Sequence, residues 1–120
     1  MSTADSVRAT IGGMGTRANP AFAAGVVAVP VAVLAYAATV GSQQLHTYVH
    51  VMTGVLWTGI DVFMAAALGP AVGGLDVEDR AKFFRRLTPK TAFLLPTLAA
   101  VTIAGGITLA LRMDGLFSHA

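Results

Sequence analysis

Cysteine is absent from the 120 residues, which excludes disulfides, thiolate metal sites, iron–sulfur clusters held by this chain and thiol chemistry. Charge is nearly as scarce. Only 12% of residues are Asp, Glu, Lys or Arg, about half the 25% of an ordinary soluble domain. Hydrophobic residues make up 55%, and the mean hydropathy is +0.70. A chain so poor in charge cannot clothe a soluble surface, so the composition is that of an integral membrane protein. Histidine, carboxylate and methionine are left as possible ligands.

The net charge of +2 does not point to nucleic acid once the basic residues are located. Arg80, Lys82, Arg85, Arg86 and Lys90 all fall between two apolar runs, a clustering that signals topology. Membrane lipids are the expected surroundings. Three spans make a thin bundle, so a homo-oligomer or a complex with other membrane subunits is expected, and no nucleic-acid partner.

Residues 1–20 are rich in Ser, Thr, Gly and Ala, carry Arg8 and Arg17, and show no apolar periodicity; a flexible cytoplasmic tail is expected there. Residues 21–120 form a single transmembrane domain. Its first span, residues 21–40, is about 30 Å long as a helix, matching a hydrocarbon core, and Pro30 should bend it. A second reading takes Arg8 and Arg17 as an n-region, residues 22–34 as an h-region and Ala35-Tyr36-Ala37 as a cleavage site, making the first span a signal peptide.

After a short turn at residues 41–44, the second span covers residues 45–68, where Gly69-Pro70 should stop it. Residues 76–87 predict a short cytoplasmic amphipathic helix at the membrane surface: Asp76 caps it, Glu78 and Asp79 suit its first turn, Arg85 and Arg86 its last, and Thr88-Pro89 ends it. The third span is residues 91–111, with Arg112 as an exit anchor. The fold class is therefore all-α, a polytopic bundle of three transmembrane helices plus one interfacial helix. Small residues at four-residue spacing, Ala24, Ala28 and Ala32 on span one and Thr102, Gly106 and Ala110 on span three, are expected to mark close helix contacts.

Five Lys/Arg between spans two and three, against none between spans one and two, place that loop in the cytoplasm, with the amino terminus inside and the carboxyl terminus outside. The setting is the prokaryotic cytoplasmic (inner) membrane.

Polar residues inside the second span are costly and so raise a functional hypothesis. At 100° per residue, His46, His50, Thr53, Gly54, Trp57, Asp61, Met64 and Leu68 share roughly a third of the helix circumference. His46 and His50, at i and i+4, offer two imidazoles on one side, the spacing at which a helix presents two cis ligands to zinc or copper. Haem needs axial ligands from opposite sides of the iron, so one helix supplies only one of them.

Each residue also has a plain structural use. His46 suits the headgroup level, His50 can bond a neighbouring helix, and Trp57 can pack or stack on a porphyrin. Asp61 can be a proton carrier, a partner for a basic group, or an interhelical hydrogen-bonding group.

His50 precedes the W-x-G unit of Trp57 and Gly59 by seven residues, followed by Phe63, Gly69-Pro70 and the basic segment of residues 76–90. In these features residues 45–70 resemble the small CopD-type and related haem- or copper-associated membrane proteins. The resemblance implies haem b or copper as cofactor, His50 as ligand, and a bundle of four or more helices, where this chain has three spans. The related protoporphyrinogen-oxidising membrane proteins use a further basic residue within a span; no such residue is present, and that activity is not carried over.

The expectation is haem b or copper bound through His50, with His46 and Trp57, for electron transfer or metal handling. Its alternatives are a non-enzymatic subunit of a larger complex, or proton or ion translocation through Asp61.

Overall fold

The computed structural model describes residues 2–117, with side chains through residue 114, and all regular structure among them is helical. The elements are α1 (Thr3–Arg17), α2 (Pro20–Thr39), α3 (Gln43–Phe63), a π-helical turn (Met64–Leu68), α4 (Gly69–Gly73) and α5 (Val77–Phe117). Three stretches, Pro20–Thr39, Gln43–Gly73 and Val77–Asp114, are long and apolar enough to cross a membrane. The chain is a multi-pass membrane protein on that ground. Its large apolar side chains point outward, among them Val29, Tyr36, Val55, Phe63, Ile103 and Leu111, as hydrocarbon solvent permits and water does not.

The first departure from the sequence expectation is at the amino terminus, where a helix replaces the irregular tail. The Ser2 hydroxyl accepts from Asp5 N–H at 3.1 Å, the N-cap geometry that satisfies an otherwise orphan donor, and Arg17 occupies the last turn. Gly12, Gly13 and Gly15 had concealed this helix, because glycine is the poorest ordinary helix former after proline. At its end Asn19 takes φ 75° and ψ 114°, a positive-φ conformation outside the αL well that an L side chain rarely adopts. The Asn19 side chain then caps α2 by accepting from Ala21 N–H at 3.0 Å, with Pro20 at the first helical position.

The second departure is that Gly69-Pro70 does not stop the second membrane helix. Pro70 lacks an N–H, and the chain absorbs the defect by widening one turn: the N–H of Gly69 bonds Met64 O, five residues back. A π turn of this kind resets the ladder without ending the helix. The helical path continues to Gly73.

The third departure joins the expected interfacial helix to the third span. Asp76 does cap the start, accepting from Asp79 N–H at 3.0 Å, but Thr88-Pro89 does not end the helix, which runs 41 residues through Pro89 and Pro96. Each proline forfeits one backbone bond, while the surrounding contacts hold the helical path. Pro89 is buried, and the Lys90 ammonium donates to Ala18 O at 3.0 Å. A straight helix of this length measures about 61 Å, matching the 60 Å long axis of the molecule. Residues 77–90 therefore prolong the axis of α5.

Helix α5 packs against both α2 and α3 and forms the centre of the bundle. Its inward residues Leu98, Val101 and Leu109 are buried with Ala23 and Ala37 of α2 and Val49 of α3. The small-residue rows were partly right. Thr102 and Gly106 face α3, whereas Ala110 on the same helix and Ala24, Ala28 and Ala32 on α2 are exposed.

Candidate functional site: two histidines between α3 and α5

The link between α2 and α3 is short because Gly41 allows a close approach. A Cβ at this position would lie 2.8 Å from Ala37 Cα, closer than any side chain tolerates. Ser42 then caps α3, its hydroxyl accepting from Leu45 N–H at 3.1 Å. One turn on, His46 is 1% exposed.

Both nitrogens of His46 are engaged. Arg112 can only donate, so its contact from Nη1 to His46 Nδ1, at 3.4 Å, leaves Nδ1 unprotonated and puts the proton on Nε2. Nε2–H donates to the Thr108 hydroxyl at 2.9 Å, which in turn donates to Ala104 O at 2.8 Å. Arg112 also donates from Nη1 to Ala37 O at 3.1 Å and from Nη2 to Gly41 O at 2.7 Å. Helix α2 has no basic residue in its own last turn. Arg112 supplies the missing cation from α5, at the end where the helix dipole favours it.

His50 has the opposite tautomer. Its Nδ1 lies 2.8 Å from Thr102 O, and a carbonyl can only accept, so Nδ1 carries the proton and Nε2 keeps its lone pair. The imidazole rests on Gly106, where a Cβ would sit 2.7 Å from His50 Cε1. Gly54 gives a second close approach, its hypothetical Cβ 3.3 Å from Thr102 Cγ2. Gly106 thus makes the space in which the ring is clamped, and Gly54 lets α3 approach Thr102 of α5.

A groove of about 560 Å³ opens beside this ring, lined by His50, Val51, Gly54, Val55, Trp57 and Thr58, with Gly59 and Thr102. His50 and Trp57 are both half-buried on its wall. A volume of this order suits a small-molecule or cofactor site.

The structure therefore separates the residues that the sequence had grouped. His46 is saturated by Thr108 and Arg112 and presents no lone pair, so the expected two-imidazole donor set is not what the geometry arranges. Among the described residues no cluster of three His, Asp or Glu side chains stands ready to hold a metal ion. Asp61 is exposed and does not line the groove. It lies about 60° around α3 from His46, at the edge of the shared face, while the packed stripe is centred on the other side, where Val49 and Thr53 are buried. No ion pair reaches it among the described residues.

The parts missed in the sequence were Arg112 and Thr108 as partners of His46, and the carbonyl of Thr102 as the partner of His50. The pairing depends on the antiparallel register of α3 on α5, which no local motif encodes. The Thr102/Gly106 spacing was the one available signal. Compared with protein-family models, curated proteins and solved structures, the chain matches none.

Proposed function

We propose that this is a cofactor-binding protein of the prokaryotic inner membrane, which takes haem b into the α3–α5 groove with His50 Nε2 as one axial ligand. The observation that carries the reading is the state of His50: an imidazole whose Nδ1–H is fixed on a backbone carbonyl is oriented in the manner of a metal-ligating histidine. His50 would hold the iron and Trp57 would lie along the macrocycle, and bound haem would supply one-electron chemistry. Any further donor to the iron would have to be supplied by another copy or a partner subunit. Copper is less well served than haem, because His50 is the one imidazole lining the groove among the described residues.

The basic residues support an orientation with the amino terminus inside. The bond from Lys90 to Ala18 O puts the end of α1, with Arg17, beside the basic stretch of α5. At the opposite end Arg112 is bound to the carbonyls of Ala37 and Gly41.

The test is purification in mild detergent after haem or copper supplementation, followed by absorption spectroscopy and metal analysis. A stoichiometric Soret band is expected. Absence of both that band and bound copper would end the proposal.

Asp61 favours a second reading, in which the protein is a non-enzymatic subunit of a larger assembly. A carboxylate exposed on a helix surface beside Val62 and Phe63, each 59% exposed, is costly against lipid. A cationic or hydrogen-bonding group from a neighbouring subunit would relieve that cost.

A further inference from the structure

Between the carboxyl-terminal end of α1 and the part of α5 that precedes the span lies a cavity of about 470 Å³, lined by Met14, Arg17, Phe84, Arg85, Thr88 and Pro89. Two arginines line it and no acidic residue does. Among the described residues the one ion pair is Glu78 with Lys82, at 3.7 Å. Arg17 and Arg85 are therefore in no ion pair among the described residues, and both are exposed. Met14 and Phe84 give the same cavity an apolar wall, and Pro89 closes it as a buried residue.

The depth of this cavity follows from the helix. Lys90 and Arg112 are 22 residues apart on α5, about 33 Å along the axis, so they bracket a hydrocarbon core of about 30 Å. Arg85 then stands about 7.5 Å beyond Lys90, at the depth of the headgroup layer, which adds roughly 5–8 Å on each side. Lys90 itself lies 4.3 Å over the Phe22 ring, as suits a cation at the boundary.

From this juxtaposition we infer that the α1–α5 cavity is a binding site for the phosphodiester headgroup of an anionic phospholipid. Arg17 and Arg85 hold the phosphate oxygens through the planar fork that suits them. Met14 and Phe84 contact the glycerol backbone and the first acyl carbons. The inference depends on the membrane placement of α5 but not on haem, so it survives failure of the cofactor reading. It also gives α1 a role, since α1 contributes one of the two arginines.

Native mass spectrometry of the whole protein released from detergent tests it, with phosphatidylglycerol, phosphatidylcholine and inorganic pyrophosphate as probes. Phosphatidylglycerol should be retained in preference to phosphatidylcholine. The R17A/R85A variant should bind it roughly thirtyfold more weakly, at about 1 kcal/mol for each cation near an anionic surface, whereas R8A, altered on the same helix outside the cavity, should bind as the parent does.

Equal retention of the two lipids, unchanged binding by R17A/R85A, or pyrophosphate binding as tight as that of phosphatidylglycerol would each overturn the assignment, the last by giving the site to soluble phosphate. Circular dichroism checks the fold of the double variant. If that variant does not fold, R17K/R85K carries the test: it keeps the charge but loses the fork, a several-fold loss is expected, and none would contradict the inference.

Discussion

Arg112 of α5 and His46 of α3, 66 positions apart in sequence, meet at 3.4 Å, and the same guanidinium closes the carbonyls at the end of α2. One side chain ties all three spans together at this end of the bundle. Arg112→Ala would leave Ala37 O, Gly41 O and His46 Nδ1 without that donor. At about 1–3 kcal/mol for an unsatisfied buried group, the variant should unfold at clearly lower temperature or denaturant in detergent. Arg112→Lys should restore only part of the loss, because an ammonium cannot span the three acceptors with a rigid fork. Thermal melts followed by circular dichroism decide this, and an unchanged midpoint for Arg112→Ala would remove the three-span tie.

Glycine positions should separate by sign. Alanine is intrinsically better than glycine in a helix by about 1 kcal/mol, so Gly12→Ala, with nothing within 4 Å of its new Cβ, should leave stability unchanged or raise it. Gly106→Ala places its methyl 2.7 Å from His50 Cε1; overpacking of this kind costs about 1–3 kcal/mol, which outweighs the propensity gain. The same melts measure both variants. A stabilised Gly106→Ala protein would show that the imidazole is not clamped there.

The spans were legible in the sequence because twenty or so apolar residues in a row admit few other structures in a membrane. Asp76 as a cap was legible for a similar reason: the signal is local. The ends of the helices were not. Pro70 and Pro89 were expected to end helices, but the first is absorbed by a π turn and the second by packing, and both outcomes depend on neighbours distant in sequence.

His46 and His50 were recognisable as residues needing explanation. Their opposite tautomers were not, since Arg112, Thr108 and Thr102 reach them only through the register of α5. Asp61 shows the limit of helical periodicity: it shares a face with the histidines by angle, and a shift of the packed stripe leaves it outside.

Asp61→Asn separates a contact between subunits from one within the chain. With Asp61 exposed and in no ion pair among the described residues, the substitution should leave the helix content and melting behaviour of the solubilised protein intact while reducing recovery of any larger assembly from native membranes. Size-exclusion chromatography with blue-native electrophoresis reads this directly. Full recovery of the assembly would remove the subunit reading of Asp61.

Symmetric pairing across the groove is accessible because the chain has no native cysteine. Thr58 is exposed and lines the groove, so Thr58→Cys should form a disulfide-linked dimer in membranes if a second copy completes the site. Ile107→Cys, also exposed but on α5, is the comparison. Crosslinking through Ile107→Cys alone would place the contact between copies on α5 and leave a partner subunit as the source of any second ligand.

Haem titration of the purified protein distinguishes the roles of the two histidines. Thr108→Val removes the hydroxyl that holds His46 Nε2 and leaves the groove untouched, so it should retain the Soret band of the parent protein. His50→Ala should abolish that band while remaining helical by circular dichroism. A Soret band of full intensity in His50→Ala, or its loss in a folded Thr108→Val protein, would contradict the account.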